Sequence, residues 1–370
     1  MKRRKLNLAL QGGGAHGAFT WGVLDCLLED GRFEIDGISG TSAGAMNAVC
    51  MADGYHAGGP ARAREQLATF WKAIGSASRF SPPTRTPIDA WLGIWPTYNS
   101  PGHTFVEMMS RIYSPYDFNP LDINPLRTIV EENVNFENVQ ACDALHLFIA
   151  ATNVWNGKVR IFERDEITCA AVMASSCLPY LFKAVEIDGV PYWDGGFMGN
   201  PVLFPFIYET RTDDILLIQI NPVERLETPK TAREITDRMN EITFNASLLR
   251  EFRAIQFVKK LISEGRVTKD EYKDLRLHRI AAPSELVGLS ASTKMNSEPA
   301  FLDHLFKMGR KSAEQWLARN AKKVGVEMGM DLGEEIAYGL FEKRPDDLSK
   351  EAQAEIRRGQ RISAKRKRGD

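Results

Sequence analysis

The chain lacks any apolar run approaching the roughly 20 residues that cross a bilayer, so no membrane-spanning helix is expected. Leu6–Leu10 is apolar but short, contains Asn7 and runs straight into glycines, which is too little for the core of a signal peptide. Paired cysteines are missing too. Cys26, Cys50, Cys142, Cys169 and Cys177 are five in number and include no C-x-x-C. That argues against a disulfide framework or a zinc site and for a reducing cytoplasm. An excess of one charge is also absent: 47 Lys and Arg stand against 48 Asp and Glu, a formal net charge of -1, which leaves no field to gather nucleic acid. The basic residues are unevenly spread, however. Met1-Lys2-Arg3-Arg4-Lys5 opens the chain and a basic stretch from Arg357 to Arg368 closes it. A solvated end is the simple reading of such a tail. Attraction to an anionic lipid surface, at about 1 kcal/mol per basic residue, is the other.

What is present is the material of a soluble globular protein. Of 370 residues, 44% are hydrophobic and 26% charged, enough for one large α/β domain or two ordinary ones. The organising stretch is Ile38-Ser39-Gly40-Thr41-Ser42-Ala43-Gly44. It contains Gly-x-Ser-x-Gly, the pattern of a nucleophile elbow, in which a serine sits on a tight turn between a buried strand and a helix. Side chains at Gly40 or Gly44 would collide where that turn is sharpest. The flanks agree: Phe33, Ile35 and Ile38 lead in as a strand, and Ala43 to Met51 reads as a small-residue helix.

One strand earlier, Leu6–Leu10 ends in Gln11-Gly12-Gly13-Gly14-Ala15-His16-Gly17, and a helix follows from Ala18 to Glu29. Gly12, Gly14 and Gly17 satisfy G-x-G-x-x-G, so a dinucleotide-binding oxidoreductase is a rival reading. That fold wants an acid at the end of the second strand. Glu34 and Asp36 instead precede Ile38, and what closes the strand is the serine motif. Acyl transfer uses the loop better, because consecutive glycine N–H groups can hold a developing oxyanion and the next helix adds the positive end of its dipole. Two adjacent strand–loop–helix units in a parallel sheet bring both loops to one edge.

Further on, a helix over Tyr55–Trp71 is expected after a glycine-rich break. Residues 75–125 interleave prolines with Trp91, Trp95, Tyr98, Phe105, Tyr113, Tyr116 and Phe118, too proline-rich for a regular sheet. They read either as a long loop anchored by its aromatics or as an apolar cover over an acyl-chain pocket, with a short helix at Thr104–Arg111. Two hairpins are expected, turning at Asn156-Gly157 and at Asp188-Gly189, the second delivering Asp194-Gly195-Gly196. Ile167–Cys177 reads as a small-residue helix, and Ile215–Ile220 and Leu275–Ile280 as strands. Thr231–Gly265 reads as a helix laid on the core through Ile235, Met239, Ile242, Leu249, Phe252 and Leu261, or else as one offering that face to a membrane surface. Phe301–Asn320 is an amphipathic helix.

Ser42 needs a base. In a Ser–acid–His order only His278 or His304 could serve, and neither sits on a loop at a strand end. Asp194 does, with two glycines behind it, so a carboxylate acting directly on the serine is the better partner. These three motifs in this order resemble the patatin-like phospholipase family, and the segment Ala174 to Pro179 (Ala-Ser-Ser-Cys-Leu-Pro) adds to the likeness. The resemblance implies a three-layer α/β/α fold with a mostly parallel central sheet and added C-terminal helices. It also implies lipid acyl-ester hydrolysis by a Ser–Asp dyad without metal or cofactor. Carried over position by position, Ser42 is the nucleophile and Asp194 its base, Gly13, Gly14 and Ala43 offer the oxyanion donors, and Gly12, Gly17, Gly40, Gly44, Gly195 and Gly196 complete the motifs. His16 stands where many members carry Arg or Lys for a phosphate and is a candidate substrate-binding residue, only partly charged near neutral pH. Alanine is common at Gly196, and the exchange is expected to be silent. The expected domain runs over residues 5–325, with 226–270 as a helical insertion and 326–370 as a polar, partly helical extension carrying the basic tail. Phospholipid, lysophospholipid, glyceride, polyester and thioester substrates stay open, with a cytoplasmic location and peripheral contact with a lipid surface. A non-catalytic surface protein is the third reading, opposed by the intact Ser42 and Asp194.

Overall fold

A computed structural model describes residues 3–78, 85, 89, 95–97, 100–225, 228–289 and 291–337. Eight strands form one mixed sheet among the described residues: β1 (Arg4–Leu10), β2 (Phe33–Gly40), β3 (His146–Asn153), β4 (Val159–Glu163), β5 (Val185–Ile187), β6 (Val190–Asp194), β7 (Asp214–Gln219) and β8 (Arg276–Ala281). Their order is β5-β6-β3-β2-β1-β7-β8, with β4 also paired to β3. The five central strands β3-β2-β1-β7-β8 are mutually parallel, and the hairpin strands β4, β5 and β6 add antiparallel pairs at the β3 side.

Alternation along the strands sorts the core into two layers. Leu6, Leu8, Leu10, Leu216 and Ile218 join one cluster, which includes residues of helices α1 (Gly17–Asp30), α2 (Ala43–Ala77) and α5 (Pro299–Asn320). Ala9, Ile215, Leu217 and Leu277 join the other, under Leu248, Phe252 and Ile255 of α4 (Ala232–Ser263). Each fully buried Leu, Ile or Phe contributes about 1.5–3 kcal/mol relative to exposure, so neither layer is dispensable. This is the α/β/α sandwich that the sequence leads one to expect. α3 (Cys169–Ser175) lies between the two hairpins in the chain and packs on β3, β5 and β6.

The expected strands, both hairpin turns and the helices at residues 18, 167 and 301 appear with their ends moved by a few residues. Three expectations need correction. No break precedes Tyr55: α2 runs through it and is interrupted at Gly58 and Gly59, where Gly59 takes φ 72° and Pro60 restarts the helix. The helix expected at Thr104–Arg111 extends over Pro101–Ile112. The first half of α4 is turned the other way. Ile235, Met239 and Ile242 are 43%, 62% and 54% exposed, while Glu241 and Asn245 face inward. Glu241 pairs with Arg225 at 2.6 Å and Arg238 at 3.1 Å, and Asn245 accepts from Gln11 Nε2 at 3.2 Å. That half of α4 covers a polar site, so its polar face turns in.

In the proline-rich stretch, Trp95 is an anchor, packed 5.0 Å from the Phe301 ring and 5.5 Å from that of His304. Phe105, Tyr113, Tyr116 and Phe118 are exposed. Trp91, Tyr98 and the basic tail lie outside the described residues. Among the described residues no helix is long and apolar enough to cross a membrane.

Candidate active site

Leu10 is opposite Gly40 on β2 and Ile218 on β7, so the loops that follow β1, β2 and β7 leave the sheet at one edge. Asp194, the last residue of β6, pairs with Ala151 of β3, two residues beyond the Ile149 that faces Gly40. The two expected catalytic side chains are thereby brought to the same edge from β2 and β6, which are distant in sequence but separated in the sheet only by β3.

Ser42 takes φ 55°, ψ −120°, a conformation non-glycine residues seldom adopt, and α2 starts at the next residue. The turn survives because its neighbours fix it. Ser42 N–H donates to Ser175 Oγ at 2.9 Å, Gly44 N–H to the Thr41 carbonyl at 2.8 Å, and Thr41 Oγ1 to the Gly199 carbonyl at 2.6 Å. A Cβ on Gly44 would sit 2.3 Å from the Leu10 carbonyl, so only glycine lets α2 start this close to β1. The glycine loop lies against this elbow: a Cβ on Gly12 would meet Ser42 Cβ at 2.7 Å, and one on Gly17 would meet Ala43 Cβ at 2.7 Å.

Asp194 is buried, and one carboxylate oxygen accepts from Gly196 N–H at 2.7 Å. The Ser42 hydroxyl lies near enough to the carboxylate to act on its titration. Burial pushes its pKa up to about 7, against the opposing pull of the Gly196 N–H, the Ser42 hydroxyl and the Lys294 charge. A carboxylate titrating near neutrality is poised as a general base. Gly195 and Gly196 follow in a short turn. An alanine at Gly196 would place Cβ 2.2 Å from Phe244 Cε1 on α4, so the exchange is silent only if that ring moves.

The N–H of Gly12 is spent on Asn200 Oδ1 at 2.6 Å. Those of Gly13, Gly14 and Ala43 find no acceptor among the described residues, which leaves three donors free beside the serine. Gly14 has φ 57°, and a Cβ there would lie 2.3 Å from the Lys294 carbonyl oxygen. Gly14→Ala keeps the N–H but forces the loop away from the Lys294 carbonyl, so it is expected to lower Tm and, with Gly14 in the oxyanion role that the family resemblance implies, to lower kcat by about 10²–10³-fold through the displaced donor. Ester hydrolysis and a thermal melt check both, and wild-type turnover in that variant would remove Gly14 from the site.

His16 departs from expectation. It is buried, with Nε2 2.7 Å from Thr293 Oγ1, and burial first, then the Lys294 charge, lowers its pKa to about 3. At neutral pH it is uncharged, so it offers no cation to a phosphate. The two acids in range for a ribose are also accounted for. Lys5 pairs with Glu34 at 3.0 Å and with Asp36 at 2.9 Å, and Asp36 also accepts from the N–H groups of Arg211 and Thr212. His278 does meet an acid, Asp214, at 2.9 Å, but Asp214 begins β7 at the opposite edge of the sheet from Ser42. His304 stacks on Trp95.

Sequence reasoning assigned no role to the polar frame around the loop. Gln11 Oε1 accepts from the N–H groups of Ile220 and Asn221, both at 2.9 Å, and Gln11 Nε2 donates to the Asn200 carbonyl at 3.1 Å. The available signal was a polar residue directly after each buried strand, in Leu10-Gln11 and Ile220-Asn221. Among the described residues no cluster of His, Cys, Asp and Glu could hold a metal ion. A surface recess of about 630 Å³, lined by Asp53, Arg62, Gln66 and Glu131 among others, contains none of the site residues.

The family model described as patatin-like phospholipase matches residues 8–207, more than half of the chain and the stretch that carries all three motifs. The chain belongs to that family. Membership places it among lipid-ester hydrolases. Among solved structures, VipD from Legionella pneumophila aligns over 91% of this chain and 73% of its own, with a TM-score of 0.38 and 14% identity. ExoU in its complex with SpcU from the type III secretion system of Pseudomonas aeruginosa aligns over 88% of this chain and 52% of its own, with a TM-score of 0.36 and 14% identity. The type III effector ExoU solved separately aligns over 98% and 63%, with a TM-score of 0.32 and 14% identity. No curated protein matches the chain.

Proposed function

We propose that this patatin-like protein is a serine acyl hydrolase that cleaves lipid carboxylic esters through a Ser42–Asp194 dyad and an acyl-enzyme. The observation that carries the reading is the meeting of the Ser42 elbow and a buried Asp194 carboxylate at one edge of the sheet, with the serine hydroxyl near enough to pull on a pKa poised near neutrality. Asp194 takes the hydroxyl proton as Ser42 Oγ attacks the ester carbonyl. The N–H groups of Gly13, Gly14 and Ala43 receive the oxyanion, and the α2 dipole adds to their field. The C–O bond to the alcohol then breaks, and the alcohol leaves with the proton from Asp194. Water, deprotonated by Asp194, attacks the acyl-enzyme and releases the fatty acid with Ser42 restored.

His16 is read as an anchor of the glycine loop, since it is neutral and bonded to Thr293. The hydrolase unit in this reading spans residues 5–325 with the helical segment 226–270 inside it, and 326–370 is an extension. The exposed Ile235, Met239 and Ile242 lie on α4, the helix whose Phe244 rests on Gly196, and would meet a lipid surface from which a substrate is drawn.

The purified chain is expected to react with a fluorophosphonate probe at Ser42. It is also expected to hydrolyse members of a panel of phospholipid, lysophospholipid, glyceride, polyester and thioester substrates, without NAD(P) binding. Absence of both labelling and hydrolysis across the panel would sink the reading. kcat/KM is expected to rise with pH through about 7 as Asp194 ionises.

A further inference from the structure

The glycine loop is held by residues well outside the matched stretch 8–207. The turn Ala291–Met295 is seated directly on it, since a Cβ on Gly14 would be 2.3 Å from the Lys294 carbonyl. Lys294 Nζ donates to Asn221 Oδ1 at 2.8 Å, and Asn221 Nδ2 donates to the Gly12 carbonyl at 2.7 Å. Thr293, the preceding residue, meets His16. Both ends of the loop and its centre are therefore tied to one short turn.

A half-buried ammonium is costly to keep, and burial pushes the Lys294 pKa down. Three carboxylates oppose that cost: Glu241 and Asp237 on α4, and Asp194 on β6. Arg225 is the neighbouring cation that adds to it. Asn221 takes one of the three Lys294 N–H donors, and the dyad chemistry uses none of them. A solvated asparagine would serve as well if Lys294 were merely a strut.

We propose that Lys294 is a positioning residue of the acyl-transfer site, clamping the oxyanion loop through its carbonyl and through Asn221 and placing a positive charge within electrostatic reach of Asp194. The proposal rests on the Ser42–Asp194 reading. Two consequences follow by different routes. The clamp fixes where the Gly13 and Gly14 N–H groups point, which acts on the rate of the chemical step. The charge favours ionised Asp194, which acts on the pH at which that step becomes available. Glu241 is held ionised by Arg225 and Arg238, and His16 is neutral there, so neither masks the titration of Asp194 near neutrality.

The test uses the full chain, with p-nitrophenyl butyrate hydrolysis and the rate of fluorophosphonate labelling followed across pH and expressed per labelled Ser42, so that misfolded protein does not count. Lys294→Gln keeps a donor for Asn221 and removes the charge. The acidic limb of kcat/KM is expected to move up by roughly one unit, at the low end of what an opposite charge does to a nearby carboxylate. Lys294→Met removes donor and charge, and its plateau kcat is expected to fall on the order of 10–100-fold with KM little changed. Lys294→Arg is expected to return the limb toward that of the unmodified chain. An unmoved limb in Lys294→Gln, or an unchanged plateau kcat in Lys294→Met, overturns the proposal. If the unmodified chain neither hydrolyses the ester nor labels at Ser42, the acyl-hydrolase reading fails and takes the proposal with it. A chain that labels normally and is indifferent to both Lys294 substitutions overturns the proposal alone.

Discussion

Replacing Ser42 by alanine is expected to lower kcat for an acyl ester by on the order of 10⁶-fold and to abolish fluorophosphonate labelling, while the melting temperature stays close to that of the unmodified chain. The magnitude follows from the covalent step. Without the hydroxyl there is no acyl-enzyme, and only the oxyanion donors and substrate binding remain to assist direct attack by water. The thermal part follows from the backbone. Alanine keeps the Cβ and hence the same strain at φ 55°, ψ −120°. Ser42→Gly is the informative companion. It should be equally inactive but more stable by about 1–3 kcal/mol, the cost of holding a non-glycine residue in such a conformation, less the entropy glycine loses on folding. Residual turnover above about a hundredth in Ser42→Ala would place the nucleophile elsewhere.

Asp194→Asn is expected to cost at least about 10³-fold in kcat and yet to stabilise the fold at neutral and alkaline pH. The sign comes from linkage. Asp194 titrates at about 7 in the folded chain against an ordinary value of 3.8, so between those values the folded state holds a proton that the unfolded state has lost. Stability contributed at this position is therefore fully present below about 4, falls as pH rises through the window from 4 to 7, and stays low above it. The difference amounts to up to about 4 kcal/mol for one group. Asparagine keeps an oxygen to accept from Gly196 N–H and never ionises, so it escapes the penalty. Melting curves of the two proteins should separate at pH 8 and converge at pH 4. A variant that melts lower than the parent at pH 8 would contradict the burial argument, and one with full activity would end the dyad.

What could be read from residues alone was whatever a short stretch encodes by itself. Leu6–Leu10 and Phe33–Ile38 are apolar runs that stop at glycine motifs, and Asp188-Gly189 adopts positive φ at both positions of the turn that delivers Asp194. Local rules of strand, turn and elbow cover all of this. The frame around the site escaped because its signals are reciprocal. Glu241 and Asn245 look like the solvent face of an amphipathic helix until Arg225 and Gln11 are placed opposite them. Lys294 in Ser-Thr-Lys-Met carries no motif, and only its contact with a loop 280 residues earlier gives it meaning. The charge state of His16 is hidden from the sequence for the same reason. Its charge depends on burial, and that burial is supplied partly by Thr293 and Phe301 from the far end of the chain.

The strand order carries a practical lesson for anyone trimming this enzyme. A fragment ending at residue 207 would contain Ser42, Asp194 and every glycine of the three motifs, and would look complete on paper. It would lack β7 and β8, so β1 would lose its partner at Asn7–Leu10 and present four unpaired residues, leading straight into the glycine loop, to any passing strand. Such a fragment is a candidate for aggregation rather than a minimal catalyst.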